Sequence, residues 1–150
     1  MWLIIPAKED DIEAIYEIES SSFLTPWSKS SLYEELVHPY SYLWVAKDVV
    51  SKEIVGFICF WIMWAEMHIV NIAVKPEFRR KGVGGLLLQK AISIAQKQGV
   101  ETIRLEVRAS NLEAISFYKK FKFSQIGKRR RYYLDIGEDA IIMGLKVKNS

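Results

Sequence analysis

Cysteine, histidine and long apolar runs are what this 150-residue sequence has least of. One cysteine, Cys59, cannot close an intramolecular disulfide, so no disulfide framework is expected and a reducing compartment fits. Two histidines, His38 and His68, with that single thiol make no zinc site or Cys–His nucleophile, and no Gly-x-Ser-x-Gly elbow occurs. Metal chemistry and nucleophilic triads are therefore not expected. The longest uncharged apolar stretch, Ile54 to Ala65, is well short of the roughly 20 residues a spanning helix needs. Near the start, Trp2 to Ile5 is a brief apolar run before Pro6 and the acidic Glu9-Asp10-Asp11, which does not read as a signal peptide. Internal repeats, low-complexity tracts and linkers rich in Gly, Ser or Pro are missing too. These absences predict one soluble domain over residues 1–150, without membrane contact, in a cytoplasmic setting.

What is present is enough for a core: half the residues are hydrophobic and 13% aromatic, against 26% charged. The net charge of +3 hides an asymmetry. Residues 1–70 hold 4 bases and 11 acids, or −7, whereas residues 71–150 hold 17 bases and 7 acids, or +10. The second half is thus suited to an anion and the first to a cation, if these charges are more than solvated faces.

Periodicity gives the elements. Trp2 to Ile5 reads as a strand ended by Pro6; a helix capped by Asp10 or Asp11 carries Ile12, Ile15, Tyr16 and Ile18. A second helix follows Thr25-Pro26, capped by Ser28 or Ser31 with Ser31-x-x-Glu34 as a capping box, and stops near His38-Pro39. Tyr42 to Lys47 and Ile54 to Met63 predict a hairpin, and Met67 to Lys75 a further strand. From Val83 the spacing turns helical, with Gly99 as its stop. Thr102 to Arg108 alternates cleanly, Asn111 opens a short helix ending near Phe121, and Phe123 to Tyr133 and Ala140 to Val147 complete the sheet. The order implies an α/β fold with a mixed, largely antiparallel sheet flanked by helices.

Three features could carry chemistry. Arg79-Arg80-Lys81-Gly82-Val83-Gly84-Gly85 lies between a strand and a long amphipathic helix. Missing Cβ atoms, free helix-start N–H groups and three cations outline a diphosphate cradle. It is neither a Walker loop nor a Rossmann fingerprint, and taken alone it is equally an ordinary Gly-rich turn. Glu106 sits on the polar face of its strand between Arg104 and Arg108, where an exposed charge ladder is the plainer reading. Tyr118 shares a helical face with Ala114 and Phe121, a spacing that usually means core. The run Arg129-Arg130-Arg131-Tyr132-Tyr133 could meet nucleic acid by phosphate contact and stacking, though one such run is usually a basic face.

In this order and spacing the chain resembles the GNAT acetyltransferases and, within them, the RimI-type ribosomal-protein N-terminal alanine acetyltransferases. The resemblance rests on FLTPWS at 23–28, NIAV at 71–74, RRKGVG at 79–84, LEVRASN at 105–111, AISFY at 114–118, Arg130 to Tyr133, and GEDAIIM at 137–143. It implies that Arg79, Arg80, Lys81, Gly82, Val83 and Gly84 hold the pyrophosphate of acetyl-CoA. Ile72, Ala73 and Val74 would pair with its pantetheine arm, a Val74 N–H would polarise the thioester carbonyl, and Asn111 would hydrogen-bond the donor. Glu106 would be the general base and Tyr118 the general acid, with Trp27 and Tyr132 on the substrate side. The implied acceptor is a protein N-terminus, that of a small-subunit ribosomal protein among them, and the acidic first half, including Glu34 and Glu35, would then greet its cationic start. No metal is implied, and nucleic acid is not expected as a direct ligand. Acetylation of a lysine or a small-molecule amine is the alternative on this scaffold, and a catalytically inactive RNA-associated module a more distant one. Lys122 departs from the resemblance, standing where these proteins usually carry Gly after the catalytic Tyr.

Overall fold

The computed structural model describes residues 1–23, 25–133 and 138–148, with 131–133 described by backbone alone. In chain order the elements are β1 (Trp2–Pro6), α1 (Ile12–Ser22), α2 (Lys29–Val37), β2 (Ser41–Asp48), β3 (Ile54–Met63), β4 (Glu66–Val74), α3 (Val83–Lys97), β5 (Thr102–Arg108), α4 (Leu112–Lys120), β6 (Ser124–Tyr133) and β7 (Glu138–Lys146). The strands form one sheet in the order β1-β2-β3-β4-β5-β7-β6, antiparallel throughout except for β4 beside β5. The expected mixed, largely antiparallel sheet is therefore present.

Helices cover both faces. Central strand β3 is buried from Ile54 to Phe60, and its side chains divide between two cores. Phe57 and Cys59 meet Ile12, Ile15 and Ile18 of α1 and Leu32 of α2, while Ile58 and Phe60 meet Val83, Leu87, Leu88, Ala91 and Ala95 of α3. In β5 the predicted alternation is complete: Ile103, Leu105 and Val107 are buried toward α3, which turns Arg104, Glu106 and Arg108 to the opposite face. No helix among the described residues is long and apolar enough to cross a membrane.

Three local endings refine the expectation. Pro6 lies within β1, an edge strand where its missing N–H is tolerated. Ser28, not Ser31, caps α2 by accepting from the Ser31 N–H at 3.1 Å. Asp11 turns its side chain back to the Lys8 N–H at 2.9 Å and does not cap α1, because a 3-10 turn over Glu9–Asp11 precedes that helix.

The C-termini of α3 and α4 close in the same way, with different residues. After α3, the Val100 N–H bonds to Ala95 O and the Gly99 N–H to Gln96 O, with Gly99 left-handed at φ +72°. After α4, the Phe123 N–H bonds to Tyr118 O and the Lys122 N–H to Lys119 O, with Lys122 left-handed at φ +76°. Both are Schellman closures. The turn survives the substitution of Lys for the usual Gly, at the cost of placing a Cβ in a disfavoured region. Lys122→Gly is accordingly expected to stabilise the fold by about 1 kcal/mol, the left-handed penalty less the extra unfolded-state entropy of Gly. Urea denaturation measures it, and a loss of stability would mean that the lysine side chain contributes more than its backbone costs.

Candidate active site

The sheet forks at its one parallel junction. Strands β4 and β5 pair only as Glu66↔Thr102, Met67↔Ile103 and His68↔Arg104, although β4 runs on to Val74 and β5 to Arg108. Each keeps its other neighbour along the way: β3 pairs with β4 up to Val74, and β7 pairs with β5 up to Arg108. A bulge in β4 at Val70 marks the divergence, since Cys59 pairs with Asn71 but Phe60 with Ile69. Among the described residues, the β5-facing edge of β4 from Ile69 to Val74 has no strand beside it. Ile72, Ala73 and Val74 therefore line an open wedge of the kind that an extended ligand enters as an added strand.

At the base of the wedge, His68 Nε2 lies 2.6 Å from Glu106 Oε2. The Glu106 side chain is 9% exposed, so it is not the rung of a solvated ladder. The His68 hydrogen bond holds its carboxyl below the usual carboxylate range; burial opposes this, and the positive charges of His68, Arg129 and Arg104 assist. Glu106 is thus a carboxylate, and His68 Nε2–H donates to it. Arg129, 3.9 Å from Glu106 Oε1, draws one member of the basic run into the site, and Lys128 pairs with Asp139 at 3.3 Å.

His68 did not emerge from the sequence as a site residue. Its polar-face position between Met67 and Ile69 was visible, but its neighbour depends on a parallel register that no local pattern encodes.

The mouth of the wedge is the Gly-rich turn. Arg80 at φ +63° and Gly82 at φ +87° reverse the chain into α3, and no side chain caps the helix. The N–H groups of Val83, Gly84 and Gly85 precede the first helical bond, from Leu86 N–H to Gly82 O at 3.1 Å, and are suited to an anion. The glycines divide their work. A Cβ on Gly82 would meet nothing within 4 Å, so this glycine serves the left-handed backbone. One on Gly84 would make an ordinary 3.5 Å contact with the Phe117 ring, whereas one on Gly85 would stand 3.3 Å from the Phe121 ring, so Gly85 is the one that eases the approach of the end of α4 to the start of α3. The cations divide as well. Arg79 Nε reaches back to Val74 O at 2.9 Å and Nη2 to Ser22 Oγ at 3.2 Å, Arg80 lies 3.7 Å from Glu113, and Lys81 lies over the Phe78 ring. Arg79 is a brace between the end of β4 and α1.

Tyr118 is 7% exposed and packs with the α3 core, flanked by Phe117 at 5.2 Å and Phe123 at 5.7 Å between ring centroids. Asn111 is exposed and caps α4, its Oδ1 accepting from the Ala114 N–H at 3.1 Å, which leaves its amide N–H groups for another partner. Trp27 is tied down from the opposite side: its N–H donates to Glu19 Oε2 at 2.9 Å, and Asn71 Nδ2 donates to Glu19 Oε1 at 2.8 Å. Glu19 is 1% exposed, and burial pushes its carboxyl up against both hydrogen bonds. The loop bearing Trp27 is thereby fastened to the first residue beyond the β4 bulge. The side chain of Tyr132, Leu24 of the 23–28 motif and Gly137 of the 137–143 motif lie outside the described residues.

One expectation fails. Glu35 cannot greet a cationic partner, because it is only 8% exposed and accepts from Ser41 Oγ at 2.8 Å and Trp61 Nε1 at 2.6 Å. Glu34, beside it, is exposed. No group of three or more His, Cys, Asp or Glu residues among the described residues is placed to hold a metal ion.

The site can be set beside known proteins. The sequence model of the acetyltransferase (GNAT) family matches residues 12–123. A Bacillus subtilis protein provisionally named ribosomal protein bS18-alanine N-acetyltransferase is 41% identical over 92% of this chain and 91% of its own length. The Escherichia coli protein of that name is 35% identical over 91% and 92% of the two chains. The crystal structure of the E. coli ribosomal-protein-S18-alanine N-acetyltransferase superposes with a TM-score of 0.90 at 34% identity, covering all of this chain and 96% of that one. Ard1 from Thermoplasma volcanium also gives 0.90, at 30% identity over 99% of each chain.

Proposed function

From the premise that the chain belongs to the acetyltransferase (GNAT) family, we propose that it moves an acetyl group from acetyl-CoA directly to the α-amino group of a protein, first of all the N-terminal alanine of a ribosomal protein. All of residues 1–150 serve this one reaction, in the cytoplasm, where Cys59 stays a thiol. The observation that carries the reading is the His68–Glu106 pair at the base of the β4/β5 fork.

An amine attacks a thioester only when neutral. An α-amino group of pKa about 8 gives up its proton at pH 7 for about 1.4 kcal/mol, whereas a lysine near 10.4 needs about 4.6 kcal/mol. A carboxylate held as low as Glu106 is a weak proton acceptor by itself, so it suits the first case and needs help with the second. Glu106, through a water, takes the amine proton, and the His68 N–H bonded to it holds the carboxylate in place. The nitrogen–carbon bond forms as the carbon–sulfur bond breaks, and the Tyr118 hydroxyl supplies the proton to the departing sulfur. Acetyl-CoA brings the activated acyl group. The uncapped start of α3 at Val83, Gly84 and Gly85, with Arg80, Lys81 and Gly82, fits its diphosphate. The open edge at Ile72, Ala73 and Val74 fits its pantetheine arm, with the Val74 N–H aimed at the carbonyl oxygen. The amide of Asn111 is a further donor to it, and Trp27 and Tyr132 flank the acceptor peptide.

Two peptides test the reading. One has a free N-terminal alanine and no lysine, and the other a blocked N-terminus and an internal lysine. Each is incubated with acetyl-CoA and read by mass spectrometry. Acetylation of the first alone is expected. Labelling of the second alone would make the enzyme a lysine acetyltransferase, and silence on both would move the acceptor to a free amine.

A further inference from the structure

Glu35 is a carboxylate drawn into the protein to hold an indole. It lies on α2, 8% exposed, and its Oε1 collects Trp61 Nε1–H at 2.6 Å, Ser41 Oγ at 2.8 Å and the Cys59 thiol at 3.5 Å. A carboxylate taken out of water is costly unless donors of this kind surround it. An aliphatic side chain in place of Trp61 would have let α2 pack without any buried charge. The expense goes to fixing one ring.

That ring stands next to the site. Ser41↔Trp61, Trp61↔His68 and His68↔Arg104 are successive cross-strand partners, so one row runs over β2, β3, β4 and β5 and ends at the fork. Side chains directly opposite one another share a face and touch. Trp61 meets the His68 imidazole edge to face, with centroids 5.8 Å apart at 84°. On its other side Tyr40 meets it the same way, at 5.7 Å and 86°, and His38 stacks on Tyr40. We infer that Trp61, anchored by Glu35, is a positioning residue that fixes the His68 imidazole against Glu106.

His68 needs such a stop. Its side chain is 24% exposed and its described polar contact is the single bond to Glu106. An imidazole free to swing about its two side-chain torsions would leave Glu106 with a misplaced partner. Displacements of about 1 Å at a catalytic group can cost about a hundredfold in rate. The inference rests on the proposed role of the His68–Glu106 pair, and its test separates the two.

Trp61→Leu removes the ring, Trp61→Phe keeps the ring without the N–H, and Glu35→Gln keeps an acceptor without the charge. Each is made in the wild-type and His68→Asn backgrounds. Trp61→Leu is expected to lower kcat on the alanine peptide about tenfold with the KM for acetyl-CoA within about twofold. Trp61→Phe should recover most of that loss. In the His68→Asn background the same Trp61→Leu change should cost less than about twofold, since the group it positions is gone. An equal loss in both backgrounds would overturn the inference. Imidazole NMR reads the same point without turnover, because His38 is the only other histidine. The His68 nitrogen shifts should move in Trp61→Leu and return toward wild type in Trp61→Phe. Unchanged His68 shifts in Trp61→Leu would also overturn it, even if the wild-type protein proved silent on the peptide and the proposed activity fell. Should Trp61→Leu not fold, Glu35→Gln, which removes the charge that anchors the ring, carries the comparison: a lowered kcat with moved His68 shifts is expected, and wild-type shifts with wild-type kcat in it would overturn the inference.

Discussion

Glu106→Gln is expected to lower kcat on an N-terminal alanine peptide by about 10²–10⁴-fold, the usual worth of a positioned acid–base group, while the KM for acetyl-CoA moves by no more than about twofold. Gln keeps the shape of the side chain and can accept the His68 N–H through its Oε1, so the pair at the fork stays assembled and the lost function is proton acceptance. Donor binding should be spared because the Gly-rich turn and the open edge of β4 are made by other elements. If kcat fell by less than about threefold, Glu106 would be a structural anion and the base would lie elsewhere. The same variant has a signature in stability. The native carboxyl of Glu106 is lowered, chiefly by His68, so its contribution is complete above the unfolded-state value of about 4.3 and is lost as pH falls through the lower native value. Glu19 is displaced the other way by burial, and its ionisation opposes folding as pH rises through its raised value. Urea denaturation of wild type and Glu106→Gln between neutral and acid pH should therefore show the wild-type advantage shrinking on the acid side. An advantage that stays constant with pH would mean that the hydrogen bond, and not the charge, is what folding gains there.

What could be read in the sequence, and what could not, divides along a physical line. Features set by neighbours a few residues away were legible. The alternation of Thr102–Arg108 fixed which face of β5 carries Glu106, Ser28 was visible as a cap, and Gly99 marked the end of α3. Features set by distant pairing were hidden. The fork depends on where β4 and β5 stop bonding, and these strands lie 36 residues apart in the aligned pair His68↔Arg104. Because His68 becomes a partner of Glu106 only through that register, the pair appeared in the sequence as a lone carboxylate and a histidine without a metal or thiol partner. Buried carboxylates were hidden for a related reason. Glu19 and Glu35 are tolerated inside because donors come from Trp27 and Asn71 in one case and from Ser41, Cys59 and Trp61 in the other. A charge count treats both as surface. The Gly-rich turn was legible as a turn, yet the sequence could not say that Gly85 faces the Phe121 ring, where the end of α4 meets the start of α3.

This docking of α4 makes Tyr118→Phe the second variant with a large expected effect. The carbonyl of Tyr118 accepts the N–H groups of Phe121 at 3.0 Å and Phe123 at 3.1 Å, and its ring is wedged between Phe117 and Phe123. The backbone closure and both ring contacts survive the loss of one oxygen, so a fold change should be confined to about 1 kcal/mol, the net worth of a neutral hydrogen bond. The rate is a different matter. The proton passes from the Tyr118 hydroxyl to the sulfur, but the completed transfer is not where the hydroxyl lowers the barrier. Its contribution comes earlier, as an O–H bond to sulfur that strengthens while the carbon–sulfur bond stretches and charge collects on the leaving atom. Removing it should lower kcat by about a hundredfold at neutral pH with donor and peptide KM nearly unchanged, because the interaction exists in the transition state and scarcely before it. A loss confined to the KM for acetyl-CoA would instead make Tyr118 a wall of the thioester channel. In that case the proton for the thiolate would have to come from solvent, and the wedge between β4 and β5 would need to stay open to water during turnover.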